Sequence, residues 1–163
     1  AKIYYQGAWE YGGSSRSLQV HVNRDETVMF PAQMKSINHS YSDKPDLPQA
    51  SFQVYALEEV LSEKLRALSG QRRFAIARDL YDVHFLSRES VNIKEVFNAL
   101  PRKCETKGIN IKGIDLDKLK GRKLEYETNW ENNLEYLIPE KLKVSFEDAW
   151  DTSMRMLDRA IKS

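Results

Sequence analysis

One lysine and two aspartates break the apolar pattern of their helices, and they do so within a short span of chain. In residues 54–88, Leu57, Val60, Leu61, Leu65 and Leu68 recur at three- and four-residue spacing, and Lys64 falls on the same stripe. Further on, Ile76, Leu80, Val83 and Leu86 outline a second apolar face with Asp79 inside its arc and Asp82 one turn on at its border. A lysine on such a stripe must snorkel, pair or serve a ligand. Two readings follow. In the structural one, Lys64 and Asp79 neutralise each other where the helices pack, with Arg78 and Asp82 paired on the rim. In the functional one, Lys64 offers a point charge to a phosphate, while Asp79 or Asp82 orients it or accepts a proton.

The segment Glu63-Lys64-Leu65-x-Ala67, followed by Arg78-Asp79-Leu80-Tyr81-Asp82, resembles the AbiEii-type nucleotidyltransferases, the toxins of type IV toxin–antitoxin systems. The likeness extends upstream to Ile3-Tyr4-Tyr5, the segment from Leu18 to Asn23, and Tyr41, and downstream to Trp130-Glu131-x-x-Leu134. It implies transfer of a nucleotidyl group from an NTP such as GTP, with Mg²⁺, to an RNA acceptor, and an antitoxin system around it. Lys64 would then contact phosphate, with Asp79 and Asp82 positioning it and an acceptor or base. Two departures stand out. Where relatives carry a candidate third carboxylate on the second strand, this chain has His21, and imidazole is a poor ligand for Mg²⁺. The family's glycine-serine and D-x-D motif is expected upstream of Ala1, which makes the chain a fragment of a longer protein, inactive alone. Gly13-Ser14 and Asp25-Glu26 do not supply that motif, because a strand rather than a helix lies between them.

Charge and composition set the frame for these residues. The 163 residues carry Lys+Arg 25 against Asp+Glu 24, a net charge of +1, so any contact with nucleic acid needs a local patch. Gln71-Arg72-Arg73, with Arg66 and Arg78, is the most basic neighbourhood, and Arg72, Arg73 and Arg78 are its candidates for triphosphate or RNA. Hydrophobic residues at 41% and charged ones at 30% describe a soluble globular chain. Cys104 stands alone, which rules out an internal disulfide and suits a cytoplasmic protein. No apolar run is long enough to span a bilayer.

The elements that must position the site read as α+β. Residues 1–56 form a β-rich part and residues 57–163 a helical part of about five helices, together one compact unit. A hairpin is expected from Ile3-Tyr4-Tyr5, a turn at residues 10–15, and a second strand alternating Leu18, Val20 and Val22 with His21 on its polar face. Short strands follow at residues 34–37 and 52–55. Ser69-Gly70 closes the Lys64 helix. Asn92 starts another helix that Pro101 bends or ends, Asp115 caps a short turn to Gly121, residues 124–137 form a helix before Pro139, and Ser145 opens the last one. Trp130, Trp150, Met154 and Met156 are core residues by spacing. A sheet lacking upstream strands exposes an edge, so the alternative is a non-catalytic binding or assembly module, a homodimer through that edge with a structural Lys64–Asp79 pair. A helix-turn-helix regulator is disfavoured, since no candidate recognition helix is markedly basic.

Overall fold

The computed structural model describes residues 2–5, 16–22, 26–37 and 50–163. Strands occupy the chain before residue 57 and helices the chain after it, an α+β arrangement. Strand β1 (Lys2–Tyr5) pairs antiparallel with β2 (Arg16–Gln19), and β3 (Gln33–Ser36) pairs antiparallel with β4 (Ser51–Val54), as two separate two-stranded sheets. The expected turn at residues 10–15, Asp25 and Tyr41 lie outside the described residues. One expectation for the strands is corrected. The second strand stops at Gln19, whose register partner is Lys2, so His21 and Val22 fall beyond the ladder and face solvent instead of alternating along a strand.

Six α-helices follow: α1 (Leu57–Arg66), α2 (Ala77–Leu86), α3 (Ile93–Glu105), α4 (Leu116–Lys120), α5 (Lys123–Asn133) and α6 (Phe146–Lys162). Their starts obey capping chemistry. The side chains of Asn92, Asp115 and Ser145 each accept a backbone N–H of the helix they open. At the end of α1 the backbone widens into a π-type turn, Ala67–Gln71, and Gly70 takes a φ of 110° that a side chain with Cβ would resist. Pro101 does not end α3, which continues to Glu105. The fifth helix is shorter than its apolar pattern suggests: it stops at Asn133 and passes into a 3₁₀ turn, Glu135–Leu137.

Helix α1 packs on α3 and α2, and α2 on α6 and α5. Leu61, Leu65, Leu80, Val83, Val96, Leu100, Ala149 and Leu157 are fully enclosed there. Rings bind α2, α5 and α6 into one layer: Tyr126 to Trp150, Trp150 to Phe146, Phe146 to Trp130 and Trp130 to Tyr81 have centroids 5.7, 5.9, 5.8 and 6.2 Å apart. Cys104 is fully buried, and burial pushes its thiol pKa up to about 11.

The α1 stripe differs from the expected one. Leu57 is exposed and Val60 only partly covered, while Glu59, Ser62, Arg66 and Ser69 are buried. A second set of charges explains the rotation. Glu59 meets Lys103 in a fully enclosed ion pair, and its other oxygen accepts the backbone N–H groups of Met29 and Phe30 at 2.8 and 3.1 Å. Lys103 also donates to the carbonyl of Thr27 at 3.2 Å. Beside them Arg66 pairs with Glu26. Burial works against the Glu26 carboxylate, but Arg66, Lys103 and Lys107 outweigh it and hold its pKa below the usual value. Arg66 therefore leaves the basic neighbourhood expected around residues 71–73. Glu26 faces cations and is no half of a metal-binding pair.

Candidate functional site

The residues singled out by their misfit come together where α1 and α2 pack. Lys64 is on the α2 side of α1, at the border between its buried and open faces. Its Nζ lies 2.9 Å from Asp79 Oδ1 and 2.7 Å from Asp82 Oδ2. The two aspartates reach one ammonium because residues three apart share a face of α2. The rim pair expected between Arg78 and Asp82 does not form, because Lys64 takes Asp82 instead; Arg78 is exposed, without an ion-pair partner among the described residues. Arg72 Nε donates to the other Asp79 oxygen at 2.7 Å. Asp79 is thus saturated by two cations and its side chain is only 2% exposed, whereas Asp82 is 29% and Lys64 22% exposed.

The intervening motif residues show why this pattern folds so. Leu65 and Leu80 are core residues, and Ala67 is buried where α1 widens. Glu63 turns the other way, toward Lys103 at 3.3 Å. Tyr81 stacks 4.6 Å from Phe85, and its hydroxyl donates to the carbonyl of Leu142.

An ammonium has three N–H groups, and Lys64 commits two to carboxylates. Burial alone would favour its neutral form, but the hydrogen bonds to Asp82 and Asp79 outweigh burial and raise its pKa above the ordinary 10.5. Lys64 is therefore a lasting positive charge, suited to an anion and unsuited to proton abstraction at neutral pH. Of the aspartates, only Asp82 keeps enough exposure to meet an incoming hydroxyl.

The loop between the helices and the start of α2 are held from α5 and from Arg122 just before it. Arg122 donates to the carbonyls of Arg72 and Arg73 at 3.4 and 3.2 Å, Glu125 accepts the N–H of Ala75 at 2.7 Å, and Asn129 accepts that of Ala77 at 2.8 Å. None of these three residues breaks a pattern in the sequence, unlike Lys64, and the resemblance singles out Trp130, Glu131 and Leu134 of this segment instead. Trp130 and Leu134 are buried, and Glu131 is exposed. Arg73 is exposed, its guanidinium 5.4 Å from the Phe74 ring centroid. The buried Lys103 was equally readable: it lies on the stripe of Val96, Leu100 and Cys104, a misfit of the same kind as Lys64.

A Mg²⁺ site does not fit this cluster. Both Asp79 oxygens and one Asp82 oxygen face cationic nitrogen, and among the described residues no group of three or more His, Cys, Asp or Glu is placed to hold a metal. His21 is exposed, with no hydrogen bond or ion pair among the described residues. No helix among them is long and apolar enough to cross a membrane.

A family model described as the nucleotidyl transferase AbiEii toxin of a type IV toxin–antitoxin system matches residues 2–157. No curated protein and no solved structure matches the chain.

Proposed function

The chain belongs to the AbiEii nucleotidyl transferase toxin family of type IV toxin–antitoxin systems, and we propose that it takes part in transferring a nucleotidyl group from an NTP to an RNA acceptor in the cytoplasm. The observation that carries this reading is the half-open ammonium of Lys64, held between Asp79 and Asp82 with one N–H to spare. Nucleotidyl transfer asks the protein mainly for positioning and for positive charge where phosphate charge builds up. Lys64 supplies that charge to the triphosphate. Asp79, locked by Lys64 and Arg72, fixes its direction, and Asp82 receives the proton of the acceptor hydroxyl. Arg72, Arg73 and Arg78 draw in the polyanion. Mg²⁺ remains part of the proposal, with ligands other than the Lys64-bound carboxylates. Membership of the family implies an antitoxin partner.

The assembly reading draws on one observation: β3 and β4 are exposed along their whole length, with Met34, Phe52 and Val54 open to solvent. In that reading two copies pair through this sheet and the Lys64 cluster is a clamp between helices. Calorimetric titration of GTP, ATP, CTP and UTP with Mg²⁺ into this chain separates the two. We expect binding of at least one NTP, weakened roughly 10²-fold or more in a folded Lys64→Ala variant. Absence of NTP binding, together with concentration-dependent dimers in sedimentation, would favour the assembly module.

A further inference from the structure

We propose that Phe74 is a stacking surface for a base of single-stranded RNA, set at the entrance to the Lys64–Asp79 site. The inference rests on the nucleotidyl transfer reading above and names how the acceptor is held. A lone exposed phenylalanine is ordinary. Phe74 differs in three respects. It is 69% exposed on a loop whose backbone is held at three points, by Arg122 twice and by Glu125, with Asn129 holding the first amide of α2. A large ring held out on a fixed support loses little freedom when something stacks on it.

Its surroundings are cationic. Arg73 lies over the ring, and its neighbour Arg72 ends on Asp79, which places the ring two residues from a direct contact with the site. Arg72, Arg73, Phe74 and Ile76 line a cleft of about 270 Å³. A second cleft, of about 260 Å³, shares Ile76 and is lined by Arg78, Asn129 and Asn133. Arg73 and Arg78 have no carboxylate partner among the described residues, so each cleft brings a guanidinium open to phosphate. Two clefts that share Ile76, each with one guanidinium free of a carboxylate, suit the repeating phosphates of a strand, whereas one triphosphate would be met at Lys64. An aromatic face beside a cationic groove is the arrangement by which proteins hold unpaired bases with little regard to sequence. An RNA duplex, its bases already stacked, could not use it.

The test is fluorescence anisotropy of a short single-stranded oligoribonucleotide, labelled at its 5′ end, with an RNA duplex of equal length as control. Wild type is expected to bind the single strand more tightly than the duplex. Phe74→Ala and Phe74→Leu are expected to weaken single-strand binding about tenfold, and Phe74→Trp to keep it, because stacking and not bulk is what matters. Titration of the NTPs into the same variants should match wild type. Equal RNA binding by wild type and Phe74→Ala, no preference over duplex, or a loss of NTP affinity in place of RNA affinity would each overturn the inference. The transfer reading fails separately: it falls if Lys64→Ala leaves NTP binding untouched, whatever Phe74 does.

Discussion

The two aspartates that share Lys64 are not equivalent, and their difference is measurable. Asp79 is buried with both oxygens in charge-assisted hydrogen bonds to Lys64 and Arg72, while Asp82 gives one oxygen to Lys64 and keeps contact with water. Asp79→Asn is therefore expected to cost roughly 2 kcal/mol in urea unfolding, because two cations lose their counter-charge in a site that water reaches poorly. Asp82→Asn should cost less than about 1 kcal/mol, as for a partly exposed pair. Activity should rank the other way if Asp82 takes the acceptor proton, with Asp82→Asn folded but impaired. Equal stability costs would mean that the two carboxylates have been given the wrong places. Lys64 itself brings no pH dependence near neutrality: its raised pKa makes its contribution present below about pH 10.5 and lost only above.

Helix α2 carries the aspartates on one face and joins α6 through another, where His84 is enclosed. Its Nδ1 lies 3.3 Å from both Thr152 Oγ1 and the carbonyl oxygen of Asp148, and its Nε2 has no hydrogen-bond partner among the described residues. Burial lowers the His84 pKa below 6.5, and the Arg88 charge adds to this against a weaker pull from the Asp148 carbonyl. The unfolded chain therefore takes up this proton at a higher pH than the folded one. Stability should fall as pH drops below 6.5, and a His84→Gln variant should show a flatter decline in thermal melts at pH 7, 6 and 5. The two site helices, the caps at Asn92, Asp115 and Ser145, and the meeting of Lys64 with Asp79 were legible because spacing and end chemistry are local properties. The rotation of α1 was not. It depends on Glu59 finding Lys103 and the amides of Met29 and Phe30, partners 44, 30 and 29 residues away, and no local window contains them. His21 is exposed, as its place on the polar face of the alternating segment suggests, although β2 itself ends at Gln19.

Taken as a whole, the chain ties its β-rich beginning to its helices through a buried charged knot. Glu59 and Lys103 hold each other and the residue 27–30 backbone, while Glu26 and Arg66 close the side. A fully enclosed ion pair stabilises little when complete and costs much when halved. Lys103→Met is thus expected to destabilise by roughly 3–5 kcal/mol, and the paired change Glu59→Met with Lys103→Met by less than the single one. Cys104, the next residue on α3, offers the means of reading this. Its thiol is sealed in the core and protonated to about pH 11, so a thiol-specific reagent can reach it only in molecules that have come open. The protein's single cysteine is in effect a counter of openings. The rate at which it is labelled in native buffer gives the frequency of those excursions, and Lys103→Met should raise that rate steeply, with no denaturant in the tube.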